Sequence, residues 1–453
     1  MTTSTTAEPT ADHTAGPTAD PTTDPMVVTL AEHRAATSPS ARVGVYSVCS
    51  AHPWVLAAAV CQARDDGTAV LIEATSNQVD QDGGYTGMRP ADFRDLVLGV
   101  AREHDLPAER VVLGGDHLGP NVWRSLGAEE AMRKAEVLVA TYVEAGFTKI
   151  HLDTSMACAG DAEPLPDHVV AERAARLARA AETAAGPDAR RLGYVIGTEV
   201  PVPGGAHETI DALAPTTPEA ARTTIEAHLA AFRAAGLEEA WQRVLAVVVQ
   251  PGVEFDHQRV FDYDPEAVRE LRAVVEGTPF VFEAHSTDYQ LRSGLRALVE
   301  DHWAVLKVGP GLTFALREAM FALAAIEDEL VGADERSRLV EVVEQVMLDE
   351  PRWWAGYYEG EAAAQHLARR YSYSDRMRYY WPQPAIRSAQ DQLVANLRRT
   401  GIPLPLLSAH LPAQYDRVRR GGLVPDPQTL VIDRVRDVLR DYAAACGAGG
   451  ADW

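Results

Sequence analysis

Residues 111–120 read VVLGGDHLGP, a short apolar run that ends in two glycines, an aspartate and a histidine. Short runs of this kind, rich in β-branched and aliphatic residues, recur along the chain, and each is followed by a longer stretch of Ala, Arg, Glu and Leu with helical periodicity. Eight such runs predict strands, at residues 43–48, 69–74, 111–115, 148–152, 192–197, 243–249, 279–283 and 303–308.

Most of these runs are continuously apolar, as expected for strands that are buried on both faces. Parallel strands are buried in this way because crossover helices cover both faces of the sheet. The intervening segments, such as 128–144 and 169–184, are long enough to form those helices. Eight strand–helix units predict an α/β fold of the (β/α)8 TIM-barrel class. The alternative is an open doubly wound sheet, but no GxGxxG motif opens the first crossover.

Composition divides the chain into three parts. Residues 1–25 are dominated by Thr, Pro, Ala and Asp and have little to bury, which predicts a disordered N-terminal tail. Residues 26–335 contain the eight repeats of the barrel. Residues 336–453 lack the strand rhythm and carry aromatic clusters such as YSYSDRMRYYW (371–381), which predicts a mostly helical C-terminal extension packed on the barrel.

The overall composition is that of a folded globular protein. The chain has 453 residues, of which 46% are hydrophobic and 24% charged. Its 42 Lys and Arg against 65 Asp and Glu give a net charge of −23, so we expect neither nucleic acid nor an anionic membrane as a partner. The chain has no long apolar run and no signal peptide, and its four cysteines lack the spacing of a metal site or a disulfide framework, which indicates a cytoplasmic protein with reduced thiols.

In a barrel of this class the active site lies at the C-terminal ends of the strands, and polar residues follow every predicted strand of this chain. Charged groups at such partly desolvated positions need an opposite charge, hydrogen bonds or a metal ion. His117 and His285 follow strands three and seven, and Glu199 and Gln250 follow strands five and six. We predict that these four residues bind a divalent metal, with zinc favoured and manganese or cobalt as alternatives. The alternative is that these histidines only form hydrogen bonds at the rim of the barrel. His257 is a further candidate metal ligand.

Further polar residues suggest a base and a phosphate site. Asp116 directly precedes His117, and at a tight strand end their side chains diverge, so that Asp116 is either a general base or a residue that orients a ligand. The loops after strands seven and eight are where barrels commonly bind phosphate. Lys307 supplies positive charge there or forms a structural salt bridge. The predicted substrate-binding and phosphate-binding residues are Asn77, Asp153, Ser286, Thr287, Lys307, Gly309, Gly311 and Thr313.

Several long motifs resemble one known family. They include SVCSAHP (47–53), LGGDHLGPN (113–121), FEAHSTDYQ (282–290) and LKVGPGLTFALREA (306–319). From about residue 28 to residue 445 the chain is similar to the Z-type subunits of class II tagatose-bisphosphate aldolase, the GatZ/KbaZ family. This resemblance implies a barrel related to the metal-dependent aldolases, in which zinc polarises a ketose carbonyl.

The resemblance also implies roles for individual residues. His117 resembles the zinc ligand and Asp116 the residue that handles the proton of the C4 hydroxyl group, while His285 resembles the ligand on strand seven. Glu199 fits the acidic catalytic position beside the metal, and residues 309–313 resemble the last phosphate-binding turn. Gln250 departs from the pattern, because catalytic subunits have a third zinc histidine on strand six.

Three functions follow from these interpretations. The first is a component of tagatose-1,6-bisphosphate aldolase, required for the activity and stability of a catalytic Y-type subunit in galactitol or N-acetylgalactosamine catabolism, and therefore oligomeric. The second is a stand-alone, metal-dependent 4-epimerase that converts fructose 6-phosphate to tagatose 6-phosphate. The third is a non-catalytic scaffold that binds a sugar phosphate.

Overall fold

The centre of the fold is a closed barrel of eight parallel strands. The computed structural model describes residues 24–197 and 213–448. The strands are β1 (Val45–Val48), β2 (Val70–Thr75), β3 (Val111–Leu118), β4 (Lys149–Leu152), β5 (Gly193–Ile196), β6 (Val244–Val248), β7 (Val281–Ala284) and β8 (Trp303–Val308). They follow one another around the barrel in chain order, and β8 pairs with β1 to close it. The predicted barrel and all eight predicted strands are therefore confirmed, and the open sheet is excluded.

Helices surround the barrel and form the C-terminal third of the chain. Within the described residues they are α1 (Pro25–Ala35), α2 (Pro53–Asp66), α3 (Pro90–Glu103), α4 (Ala128–Glu144), α5 (Asp167–Ala185), α6 (Pro218–Ala234), α7 (Glu238–Trp241), α8 (Arg269–Arg272), α9 (Arg292–Glu300), α10 (Pro310–Leu330), α11 (Leu339–Asp349), α12 (Ala362–Tyr371), α13 (Pro384–Thr400), α14 (Leu404–His410), α15 (Pro412–Arg419) and α16 (Pro427–Ala445). Helices α2 to α9 lie in the crossovers between successive strands, α10 follows β8, and α11 to α16 form the predicted helical extension.

An apolar layer fills the lower part of the barrel. Side chains alternate between the two faces of a strand, so every second residue points inward. The inward residues near the strand starts form a buried cluster that includes Leu71, Val112 and Val305. Met26 and Leu30 of α1 belong to the same cluster, so α1 closes the N-terminal end of the barrel. The opposite end, where the strands finish, is left for polar residues.

Helix α1 begins where the predicted tail ends. Asp24 caps this helix, because its side chain accepts a hydrogen bond from the Met26 amide at 2.9 Å. The other carboxylate oxygen of Asp24 accepts from the Thr148 hydroxyl, which ties the helix to the start of β4. Residues 1–23 of the predicted tail lie outside the described residues. The domain boundary predicted at residue 335 falls between α10 and α11 and stays a prediction.

The C-terminal extension packs on one side of the barrel and reaches its open end. Helix α16 packs against α2, α9 and α10. The Tyr442 hydroxyl of α16 donates to the Thr287 carbonyl at 2.8 Å, in the loop that follows β7. A single 3-10 turn, Arg376–Tyr379, brings residues of the extension to the mouth of the barrel. In the described part of the chain, no helix has the length and apolarity needed to cross a membrane.

The end of β3 tolerates no side chain at Gly119. A Cβ atom there would lie 1.6 Å from the Asp153 carbonyl oxygen, and this is backbone that cannot rotate away. We expect Gly119→Ala to lower the free energy of unfolding by about 3 kcal/mol or more, because the ends of β3 and β4 must separate. Thermal and urea unfolding of the purified variant measure this effect.

Gly99 provides the matched control, since it lies inside α3 and a Cβ atom there meets nothing within 4 Å. Gly99→Ala should be neutral or should stabilise the protein by up to about 1 kcal/mol, because alanine is the better helix former. Equal stability of the two variants would contradict the packing described at the end of β3.

Candidate metal centre at the barrel mouth

A buried layer of charged residues lies directly above the apolar layer. Glu73, Lys149, Glu283 and Lys307 occupy inward positions of β2, β4, β7 and β8. Lys149 Nζ lies 2.7 Å from Glu283 Oε2 and also contacts Glu73, while Lys307 Nζ lies 2.7 Å from Glu73 Oε2. Lys149 therefore contacts two carboxylates, and Lys307 contacts three, since it also contacts Asp116 and lies 3.9 Å from Glu283 Oε1. This pairing offsets the large cost of taking four charges out of water.

Three imidazoles lie above this layer. The ring centroids of His117, His151 and His285 are separated by 5.0 Å, 4.9 Å and 5.2 Å, which makes the triangle nearly equilateral. His151 follows Lys149 by two residues and His285 follows Glu283 by two, so both continue the inward face of their strands. All three rings are buried.

His117 reaches the same cluster through an unusual backbone conformation. Its φ is +50°, in the left-handed region, at the end of β3. In a regular strand the side chains of Asp116 and His117 would point to opposite faces. The positive φ instead turns His117 inward, and its Nε2 lies 3.7 Å from Asp116 Oδ1. The predicted divergence of these two side chains is therefore wrong, because the pairing of β3 with β4 is irregular between Gly115 and Leu118.

Asp116 lies at the centre of a hydrogen-bond network. Its Oδ2 accepts from the Thr75 hydroxyl at 2.8 Å, and its Oδ1 contacts Lys307 Nζ and lies 3.2 Å from His151 Nδ1. Burial alone would raise the pKa of Asp116, but the neighbouring His117 and Lys307 charges outweigh it and hold the pKa well below its usual range. Both carboxylate oxygens of Asp116 are thus hydrogen-bonded. This favours a residue that orients a ligand over a general base.

Carboxylates hold two of the rings from behind. Asp153 Oδ2 lies 2.8 Å from His117 Nδ1, and Glu283 Oε1 lies 2.9 Å from His285 Nε2. Hydrogen bonds of this kind fix the tautomer and orientation of histidines that bind metals. Burial lowers the pKa of His285 to about 3, whereas for His117 the Asp116 and Asp153 carboxylates outweigh burial and raise the pKa. His285 is therefore neutral at physiological pH, as a metal ligand must be.

The donor set fits a divalent cation. One ligand atom each from Asp116, His117, His151 and His285 lies within 4.8 Å of the others. Three imidazoles that share one tetrahedral ion at about 2.1 Å have ring centroids about 5 Å apart, as these rings do. His151 Nε2 is buried and has no hydrogen-bond partner in the structure. A donor set of three imidazoles and one carboxylate suits zinc.

The balance of buried charge leads to the same conclusion. The layer and the cluster hold four buried carboxylates, those of Glu73, Asp116, Asp153 and Glu283, but only two buried ammonium groups, those of Lys149 and Lys307. Uncompensated buried charge is expensive, so the excess negative charge favours either a protonated histidine or a bound cation. The described residues therefore provide both the ligands and the charge that a divalent ion requires.

The cluster opens into a cavity at the barrel mouth. Seven predicted site residues line this cavity: Asn77, Asp116, His117, His285, Ser286, Lys307 and Gly309. Gln250 does not line it, and its side-chain oxygen instead accepts hydrogen bonds from the amides of Gly252 and Val253. Glu199 lies outside the described residues.

The predicted phosphate turn at the start of α10 already holds a carboxylate. Asp288 Oδ1 accepts from the Gly309 amide at 2.9 Å and from the Gly311 amide at 2.7 Å. These are the amides that a phosphate would use at a helix N-terminus. The Thr313 hydroxyl contacts Asp375, and the Thr287 hydroxyl donates to the Lys307 carbonyl at 2.6 Å. In this structure these predicted phosphate ligands therefore bind other parts of the protein.

Sequence reasoning missed residues of two kinds. His151 could have been found, because Lys149, His151 and Asp153 share one parity of β4 and all three are polar. Arg378 and Tyr379 line the cavity from the C-terminal extension, and they follow none of the predicted strands. Tyr85, in the loop after β2, also lines the cavity.

Asp288 gives a stability effect that depends on pH. Burial raises its pKa to about 6, although the Gly311 and Gly309 amides and the Arg378 charge oppose the shift. In the unfolded chain the carboxyl group titrates near pH 3.9, so between about pH 4 and pH 6 unfolding releases a proton and stability falls as pH rises. Asp288→Asn keeps the accepting oxygen and removes this penalty. The free energy of unfolding of the variant relative to the wild type should rise by about 3 kcal/mol across that window and stay constant above it.

Urea unfolding at a series of pH values measures this difference. Asp188→Asn is the control, because Asp188 is exposed and its change removes one charge from the surface only. A difference between Asp288→Asn and the wild type that does not vary with pH would contradict the burial of a charged Asp288.

Known proteins with the same sequence pattern identify the family. The chain matches the profile of the family described as D-tagatose-1,6-bisphosphate aldolase subunit GatZ/KbaZ-like over residues 30–447. It is 53% identical over 418 residues to the D-tagatose-1,6-bisphosphate aldolase subunit GatZ of Salmonella enteritidis PT4, which covers 92% of this chain and 98% of the relative. The GatZ subunit of Salmonella dublin is equally similar, at 53% identity with 92% and 98% coverage.

A solved structure is similar in sequence and fold. It is described as a probable tagatose 6 phosphate kinase from Sinorhizobium meliloti 1021, and it matches with a TM-score of 0.82 and 50% sequence identity over 89% of this chain and 100% of that chain. The similarity in sequence thus extends over the barrel and the helical extension alike. The chain belongs to the GatZ/KbaZ-like family of D-tagatose-1,6-bisphosphate aldolase subunits.

Proposed function

We propose that this chain is a subunit of a class II tagatose-1,6-bisphosphate aldolase, and that its own barrel mouth binds a divalent cation and a phosphorylated ketose. Relatives that carry the name of this subunit are 53% identical over almost their whole length. We propose a catalytic Y-type subunit as its partner, in the cytoplasm, in the catabolism of galactitol or N-acetylgalactosamine. In this assembly the chain stabilises and activates its partner.

The triangle of His117, His151 and His285 is the observation that supports a cation. A barrel that served only as a scaffold would gain nothing from three buried imidazoles, because buried polar groups without full pairing destabilise a fold. Gln250 has no imidazole and does not line the cavity, so the cluster needs its third imidazole from another strand. His151 on β4 supplies the third imidazole of the donor set, in place of the strand-six histidine that the resemblance implies for catalytic subunits.

Each charged residue near the cluster has a role in this proposal. Asp153 and Glu283 fix the rings of His117 and His285. Lys307 neutralises Asp116 and Glu73, so that the carboxylate beside the cluster stays ionised. A zinc ion held by the cluster would polarise a ketose carbonyl and stabilise negative charge on its oxygen. Asn77 and Ser286, on the cavity wall, can hydrogen-bond to sugar hydroxyl groups.

A second candidate function is 4-epimerisation of a ketose phosphate by this chain alone. It is favoured by the same complete donor set, since these residues could hold the cation for such a reaction without a contribution from a partner. The two functions differ in what the isolated chain does. An epimerase converts fructose 6-phosphate without a partner, whereas a pure subunit acts only on the activity of the Y-type chain.

His151→Ala tests the cation site. We expect the wild-type chain to bind about one zinc ion, and His151→Ala to lose at least nine-tenths of it after dialysis, because the ligand shell is incomplete. Zinc per chain is measured by elemental analysis, so the test does not depend on activity. His168→Ala is the control, since His168 is exposed on α5. Full zinc content in His151→Ala, or none in the wild type, would refute the site.

The subunit role is tested with a co-expressed Y-type chain. We expect the two chains to co-purify, and the Y-type chain to cleave tagatose 1,6-bisphosphate several-fold faster in the complex than alone. The isolated chain with added zinc is also incubated with fructose 6-phosphate and assayed for tagatose 6-phosphate. Conversion that His151→Ala abolishes would establish the epimerase, and a Y-type chain unaffected by this protein would exclude the subunit role.

A further inference from the structure

One arginine on the wall of the cavity has no carboxylate partner. Among the residues in the described ranges, no acidic group lies within 4.0 Å of the Arg378 guanidinium. Arg378 comes from the 3-10 turn Arg376–Tyr379 of the C-terminal extension. It lines the same cavity as Asp116, His117 and His285. The site therefore combines the candidate metal cluster with a cation from a different part of the chain.

The hydrogen bonds of Arg378 hold it in place without using all its donors. One terminal nitrogen donates to the carbonyls of Ser374 and Asp375, and the other donates to the Tyr379 hydroxyl at 3.0 Å. These are three hydrogen bonds, and a guanidinium carries five N–H donors. The side chain is thus oriented by neutral oxygens and keeps its positive charge and part of its donor capacity for an anion.

The nearby carboxylates are bound to other groups. Asp288 accepts from the Gly309 and Gly311 amides, and Asp375 lies 3.7 Å from Arg317 and contacts the Thr313 hydroxyl. Lys307, the other cation on the cavity wall, is neutralised by Glu73 and Asp116. Of the two cations that line the described cavity, Arg378 is the one without a paired carboxylate.

The position of Asp288 makes the usual phosphate position unavailable. In barrels of this class phosphate commonly binds at the amides that open the helix after strand eight. Here the Asp288 carboxylate fills that position, so a phosphate group would meet a negative charge and occupied amides. A phosphorylated ligand must place its phosphate elsewhere on the wall.

We propose that Arg378, with Tyr379 and Asn77 beside it, binds the phosphate group of the phosphorylated ketose whose other end faces the His117, His151 and His285 cluster. This assignment rests on the proposed function for the class of ligand, and it adds the residue that recognises the phosphate. It also makes the C-terminal extension part of the binding site. A second cavity shares Arg378, Cys49, Gln78 and Tyr85 with the first, so Arg378 lies where the two cavities meet.

The test compares a sugar phosphate with its parent sugar. Calorimetric titration of the full chain with fructose 6-phosphate and with fructose gives the contribution of the phosphate. We expect the wild type to bind fructose 6-phosphate about tenfold or more tighter than fructose, and Arg378→Met to lose that preference. Arg378→Lys keeps the charge but not the planar fork, so it should retain an intermediate preference. Arg387→Met is the control, because Arg387 is exposed and lines only the second cavity.

The outcomes separate this inference from the proposed function. Wild-type affinity for fructose 6-phosphate in Arg378→Met would overturn the inference, as would equal affinity of the wild type for fructose, for inorganic phosphate and for fructose 6-phosphate. Zinc content is measured on the same samples and should be unchanged in both Arg378 variants, since a distorted barrel mouth would lose it. Absence of zinc with an intact dependence on Arg378 would refute the metal centre and leave the phosphate site standing.

Discussion

The pairing of two buried lysines with two buried glutamates is the constraint on which the barrel mouth depends. Lys149 and Lys307 join strands β4 and β8 to Glu73 and Glu283 on β2 and β7, in a buried layer. Below this layer the interior is apolar, and above it the histidines collect. The positive charge of the lysines keeps Asp116 and Glu283 ionised next to the histidines. The layer thus separates the apolar core from a charged site at the barrel mouth.

The strands could be predicted because a strand buried on both faces leaves a continuous apolar run in the sequence. The candidate site could be predicted in part, since His117, His285 and Asp116 directly follow or end such runs. His151 was not predicted as a ligand, although polar residues at alternate positions along β4 indicate that its side chain points into the barrel. The inward turn of His117 had no sequence signal, because it follows from a φ of +50° at a residue that usually avoids that region. The place of Arg378 could not be inferred, since it depends on how the extension folds back.

The phosphate region illustrates how a protein can use its own side chain in place of a ligand. A glycine-rich turn before a helix predicts an anion site, and an anion is present there, but it is the Asp288 carboxylate. Glycines at positions 309 and 311 therefore serve a loop-to-helix contact between β7 and α10. The local sequence around Gly309 and Gly311 predicts that their amides bind an anion. It does not show whether that anion is a ligand or a side chain of the protein itself.

The contact between Tyr442 and Thr287 has a consequence for biosynthesis. Thr287 sits two residues after His285, and its carbonyl is held by a hydroxyl from α16, more than a hundred residues further along the chain. During translation the eight strands emerge long before that helix does. A nascent barrel can close around its apolar floor, but the loop beside His285 gains its final support only when residues 427–445 have left the ribosome. The complete pocket therefore needs residues from both the barrel and the C-terminal extension.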